Sequence, residues 1–311
     1  MDILYLGALL LAQAGISAKQ FAMKKCGQVA SGAFNSVCIN LMRSVICLAV
    51  SLVIWLCMDG GYTTAFGHFV IILSGIGTAV NLFTWILSTR LVSLMLIESV
   101  SMIGSLIIPL ILAPVLYNGD EVSVAQWIGC ILIFASVFLF MNKGSGEKKG
   151  GSLIGKIVVV TLCALGTTVA SVFKKYYTFH ISDNGLGSVE YFTFMNFVTV
   201  LGVFIFLFAI YYALEKKRIG ASLPEGQRVR VELPYKKVYA YILLAATALY
   251  VAELFTTYAS GLPSAIFYPL SKGLTVVATF LLDVIVFKDK ITLKKLIGLA
   301  IVIIAIILVN L

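Results

Sequence analysis

Five ionisable side chains stand inside long apolar runs of this sequence: Arg43, Glu98, Glu253, Lys272 and Asp283. Lipid solvates charge poorly, so such a group normally faces a cavity and has a partner. Lys272 lies in Tyr268-Pro269-Leu270-Ser271-Lys272-Gly273. There Pro269 removes a helix hydrogen bond, and Gly273 lets another helix or a ligand approach closely. A cation at this point can meet a charged solute or lock against Glu253, which lies at a similar depth, and the two roles are compatible. Arg43 and Glu98 lie toward the opposite face and could pair in the same way. A pair on each side of a central cavity would form gates that open alternately, and Glu98 or Glu253 could instead carry a coupling proton. Lys19 and Asp283, near the ends of their runs, are expected to reach the headgroups by snorkelling.

Neutral polar residues in the same runs add hydrogen-bonding capacity: Asn40, Asn81, Asn196, Tyr250, Tyr268 and Ser271. The expected solute-binding set is Lys272, Tyr268, Ser271, Asn81, Tyr250 and Asn40, with Glu98, Arg43 and Glu253 as gating or coupling charges. The small residues of Ser74-Gly75-Ile76-Gly77-Thr78, and Ser99, Ser101, Gly104 and Ser105, suit close helix packing or a cavity wall equally.

These residues need apolar elements to hold them, and the composition supplies little else. Of 311 residues 60% are hydrophobic and 12% charged, and the mean hydropathy is +1.04. A soluble domain carries about 25% charged residues, so most of this surface must face lipid. The expected class is an all-α integral membrane protein. Ten segments are long and apolar enough to span about 30 Å of hydrocarbon: 3–22, 33–58, 66–88, 93–116, 122–142, 153–173, 189–214, 238–259, 264–287 and 291–311. The polar stretch Glu215–Lys237, with Pro224 and Pro234, is expected to be a loop. Met1 to Lys19 has no basic leader and continues into polar Gln13 and Ser17, so it is taken as the first span.

Enzyme chemistry finds little support in the sequence. The two histidines, His68 and His180, form no metal motif, and no phosphate-binding loop of the Walker type is present. The six cysteines include no Cys-x-x-Cys pair, so neither a disulfide framework nor a metal site is expected. No cofactor is expected. Basic residues cluster between apolar runs, as at Lys216-Lys217-Arg218, which fits membrane-flanking loops rather than a nucleic-acid surface. The expected partners are a small-molecule substrate and membrane lipid, with a proton or counter-substrate as coupling species. A lipid flippase, a channel and an intramembrane enzyme are the rival classes.

The chain also matches itself. Shifted by 169 positions, 75–142 align with 244–311 without a gap, with ten identities in 68 positions, among them Thr78/Thr247, Gly104/Gly273, Asp120/Asp289 and Ile128-Gly129/Ile297-Gly298. Each copy closes one span with an aspartate, continues through Ser123 or Thr292, and opens the next. The runs Asp120–Gly129 and Asp289–Gly298 resemble the signature that ends each half of ten-helix permeases of the drug/metabolite transporter superfamily (EamA type), with Asp where that family usually has Glu. The resemblance covers the whole chain. It implies two inverted five-helix repeats, 1–146 and 147–311, with a substrate cavity between them and transport by alternating access. Nucleotide-sugar and sugar-phosphate carriers of the superfamily are similar in having a lysine in span 9 that meets an anionic substrate.

Charge distribution predicts orientation. The connections after spans 1, 3, 5, 7 and 9 hold 19 of the 23 basic residues, and those after spans 2, 4, 6 and 8 hold only Lys174 and Lys175. The positive-inside rule then puts both termini outside the cytoplasm, in what is expected to be the plasma membrane. The resemblance implies the reverse, with both termini inside.

Overall fold

The computed structural model describes residues 3–29, 32–58, 61–91, 97, 101, 103–116, 123–140, 153–182, 184–222, 233, 235–286 and 291–309. Among them the chain is all-α, with no strand. The helices are α1 (Ile3–Val29), α2 (Ala33–Cys57), α3 (Ala65–Leu91), a π-turn Ile103–Ile107 running into α4 (Ile108–Leu116), α5 (Val124–Phe140), α6 (Leu153–Tyr177) continued by a π-turn Thr178–Ser182, α7 (Val189–Ser222), α8 (Tyr235–Ala259), α9 (Ser264–Ile285) and α10 (Leu293–Val309).

Six of these helices are long and apolar enough to cross a membrane, over 33–57, 65–88, 157–182, 189–219, 238–259 and 264–282. Helix α7 shows why the surrounding solvent must be apolar. Its window is the most apolar of the six, yet only 17% of that window is buried. Phe206 is 66% exposed and Ile205 55%. A helix apolar on all sides belongs in a protein core or in lipid, and this one is on the outside. The protein is of the integral membrane type.

Several helices outrun the spans expected from hydropathy. Helix α1 extends to Val29 through Lys24 and Lys25, and α7 extends to Ser222 through Glu215, Lys216, Lys217 and Arg218, where a loop was expected. Helical backbone satisfies its own hydrogen bonds and so does not stop where hydrophobicity stops. On α7 an Arg218–Glu215 pair at 2.6 Å supports the polar extension one turn apart.

Helix packing is dominated by α1 against α8 and α3 against α6; α2 also packs on α7, and α5 on α10. Glycines set the first two contacts. A Cβ on Gly15 would lie 2.7 Å from the Ala248 carbonyl oxygen, one on Gly77 2.7 Å from the Ala170 nitrogen, and one on Gly166 2.6 Å from the Asn81 nitrogen. Backbones that touch at these points leave no room for any side chain. Gly75 and Gly77 thus serve packing, while Thr78 of the same run faces the interior cavity described below.

The signature run has a local explanation at α5. The Ser123 hydroxyl accepts from the Gln126 N–H at 3.2 Å, and the Gln126 side-chain oxygen accepts from the Ser123 N–H at 2.9 Å. This is a capping box, which satisfies two otherwise orphaned donors at a helix start. Asp120 and Asp289 lie outside the described residues.

Candidate functional site

A cavity of about 140 Å³ lies inside the helical body. At roughly 30 Å³ of liquid volume per water, it holds on the order of five waters. Its wall comes from α1, α3, α6, α8 and α9, with Ser101 preceding the first π-turn. Four of the lining side chains are ionisable: Lys19, Lys174, Glu253 and Lys272. The neutral polar wall includes Gln20, Asn81, Thr167, Thr256 and Ser271.

The carboxylate of Glu253 on α8 is ion-paired with the ammonium of Lys174 on α6. The expected partner was Lys272. Its charge and that of Lys19 also act on Glu253, but Lys174 makes the direct contact. Hydropathy had ended the sixth span at 173 and left Lys174 and Lys175 in a loop. Both instead lie in the last turn of α6, and Lys174 is 7% and Lys175 1% exposed. Lys175 turns the other way and donates to the backbone carbonyls of Ser260, at 2.8 Å, and Leu262. Its ammonium thereby holds the carbonyls left orphaned where α8 ends, a favourable place for a cation. Lys19 requires a correction as well: expected to snorkel from a span end, it lines the cavity from within a 27-residue helix.

The Asn81 amide donates to the Thr167 hydroxyl at 2.5 Å and to the Cys163 carbonyl at 3.3 Å, bridging α3 to α6. Gln13 of α1 donates to the Ser271 carbonyl at 3.1 Å and accepts from the Thr275 hydroxyl at 3.0 Å. Gln20 accepts from Thr279 at 3.3 Å. These rungs fix α1 beside α9, running in the same direction.

Of the expected solute-binding residues, Lys272, Ser271 and Asn81 share this cavity, and Glu253 joins them. Three others lie elsewhere. Tyr268 sits in an apolar cluster against Phe267, and its hydroxyl donates to the Ser171 carbonyl at 3.3 Å. Tyr250 packs in a second cluster with Phe197. Asn40 is fully buried, donating to the Leu82 carbonyl at 3.2 Å and accepting from Arg43 at 2.5 Å. Arg43 itself is 1% exposed and is not on the cavity wall. Asn196 is also buried away from it. Glu98, the other half of the expected Arg43–Glu98 pair, and the side chain of Asp283 lie outside the described residues.

Lys174 is the cavity-lining charge that hydropathy concealed. One signal could have found it. Lys174 lies three residues before the end of α6 and Glu253 six before the end of α8. Both even-numbered helices end on the same side, so the two charges share a depth.

No family model matches the chain, and no curated protein matches it. A solved structure described as "Crystal structure of protein" aligns over 98% of this chain and 98% of its own, with a TM-score of 0.64 and 17% identity. The two share a fold. At that identity the likeness extends no further.

Proposed function

We propose that this chain is a secondary transporter of ten spans, built as two inverted five-helix repeats, that moves a small polar or charged metabolite by alternating access. The carrying observation is a solute-sized, charged cavity enclosed by helices from both halves of an apolar helical body. In lipid, buried charge persists where it lines such a space.

The helix contacts support the repeat. Exchanging each helix of the first half with its counterpart five places on turns the α1–α8 contact into α6–α3 and α3–α7 into α8–α2. The same exchange returns α2–α7 and α5–α10 to themselves, and every one of these contacts occurs. Inverted repeats of this kind place their binding site between the halves, near mid-membrane. The helices lining the cavity are drawn from both halves, as that arrangement requires. The signature runs and the self-match point the same way, toward a permease of the drug/metabolite transporter type.

Glu253 already neutralises Lys174, so it is poorly suited to shuttle a proton. The coupling we assign is exchange of one solute for another. Purified protein in proteoliposomes should show saturable uptake stimulated by counter-flow and indifferent to an imposed pH gradient. Non-saturating ionic current would replace the carrier with a channel, and uptake that followed the pH gradient would restore proton coupling.

A further inference from the structure

The helices around the cavity form two tightly joined bodies. Gly77 and Gly166 bring α3 and α6 together backbone to backbone, and a Cβ on Gly104 would lie 2.3 Å from the Thr168 hydroxyl, which seats the first π-turn on the same pair. Gly15 joins α1 to α8 in the same way, and the bonds of Gln13 and Gln20 add α9. Contacts this close leave no room for another side chain and hold each body together. The cavity lies between the two bodies and takes its wall from both.

Where α6 and α8 end, side chains rather than close backbone packing hold the bodies to each other, since α6 packs chiefly on α3 and α8 chiefly on α1. Tyr268 of α9 donates to the Ser171 carbonyl at 3.3 Å, and Lys174 pairs with Glu253. Further out along α6, Lys175 donates to the carbonyls of Ser260, at 2.8 Å, and Leu262 in the α8–α9 turn. Beyond it the hydroxyls of Thr178 and Ser260 are bonded at 2.8 Å. At the other end the two bodies meet through an apolar cluster that includes Met23, Cys26, Trp85, Ile86, Val238 and Ile242. One seam is thus polar and the other apolar. The carbonyls that Lys175 meets are neutral, so parting from them strands no opposite charge in the protein.

We infer that Lys175 is the latch of a gate. Its release from the α8–α9 turn lets the α3–α6 body rock away from the α1–α8–α9 body and opens the cavity toward the face on which α6 and α8 end. The purpose of the gate rests on the transporter reading; the motion does not. A Cβ on Gly261 would lie 3.1 Å from the Tyr5 hydroxyl, so the N-terminus marks this face.

The test is the rate at which a membrane-impermeant thiol reagent modifies Ser171→Cys, a position on the cavity wall, in sealed vesicles of either orientation. The background carries Cys57→Ser, which removes the exposed native cysteine. Lys175→Met should raise the rate from the N-terminal face by roughly ten- to hundred-fold, the worth of a hydrogen bond to a charged group, and should not raise it from the other face. Thr178→Val removes a neutral bond of the same seam. It should act in the same direction but less strongly, and it serves where Lys175→Met does not fold. Lys24→Met is the control. Lys24 lies nine residues beyond Gly15, as Lys175 lies nine beyond Gly166, so it occupies the corresponding place at the other end of the cavity and should leave the rate from the N-terminal face unchanged. Unchanged rates in Lys175→Met and Thr178→Val would overturn the latch, and so would an equal rise from both faces, which marks general loosening. Tying the seam shut separates the latch from the transporter reading. Counter-flow that survived complete disulfide cross-linking of Thr178→Cys with Ser260→Cys would sink the latch and spare the carrier. A one-sided rise in labelling with no exchange of any solute would do the reverse.

Discussion

At the residue scale, the Lys174–Glu253 pair is the most consequential contact. Side chains of this pair are 8% and 19% exposed, so each shields the other's charge from an apolar surround. Removing one partner of a buried pair strands the other, at a cost of about 3–5 kcal/mol, whereas replacing both can be nearly neutral. Glu253→Leu and Lys174→Met should therefore each lower the melting temperature markedly, and the double variant should recover much of the loss. Additive losses in that cycle would mean that the two side chains act independently. The sequence identified Glu253 and Lys272 as charges needing partners, because a carboxylate or ammonium in an apolar run is visible by type alone. It assigned the wrong partner because Lys174 and Glu253 are 79 positions apart, and only the return of the chain through α7 brings α8 back beside α6. Tyr250 and Tyr268 show the converse limit: tyrosine reads as polar in sequence, yet both rings pack in apolar clusters, and the Tyr268 hydroxyl donates to the Ser171 backbone carbonyl.

At the element scale, α3 and α6 approach so closely that Gly77 and Gly166 share one contact. Gly77→Leu or Gly166→Leu should separate these helices and displace Asn81 from Thr167. Overpacking a tight site costs about 1–3 kcal/mol or more, and the expected readout is loss of a monodisperse, cooperatively melting species in detergent. Gly7→Ala is the control: a Cβ there meets nothing within 4 Å, and the variant should melt like the parent or slightly above it. A milder effect belongs to the capping box at α5. Ser123→Ala should cost about 1 kcal/mol, measured as a small downward shift in melting. Were the Gly77→Leu protein to melt like Gly7→Ala, the close packing would not be what joins α3 to α6. Elements were legible where an apolar run was long, as in α2 and α8, each of which carries a single mid-run charge, Arg43 or Glu253. Their ends were not, because Lys24, Lys25 and Lys174 end the hydrophobicity without ending the helix.

For the whole molecule, the open question of orientation is sharpened by where the lysines lie. Lys19 and Lys174 line the cavity and Lys175 is buried against backbone carbonyls, so none of the three is a charge flanking the membrane. Setting them aside, the basic residues assigned to the two sets of connections change from 19 against 2 to 18 against none. The positive-inside rule counts flanking charge, so the bias toward termini outside the cytoplasm grows. Small tags at each end should accordingly be reached by a membrane-impermeant reagent in intact cells. Labelling only after permeabilisation would reverse the orientation.

Composition alone determined that this chain lives in lipid: a surface cannot be wetted with so few charges, and no folding rearrangement alters that count. The self-match of 75–142 with 244–311 was likewise readable, since it is a property of the residues alone. What tertiary structure decided was which buried charges share one cavity. Depth along a helix is encoded in position, but rotation about its axis and the identity of the facing neighbour come only from packing. Packing turned Lys19 and Lys174 into the cavity, and Arg43 and Tyr250 away from it.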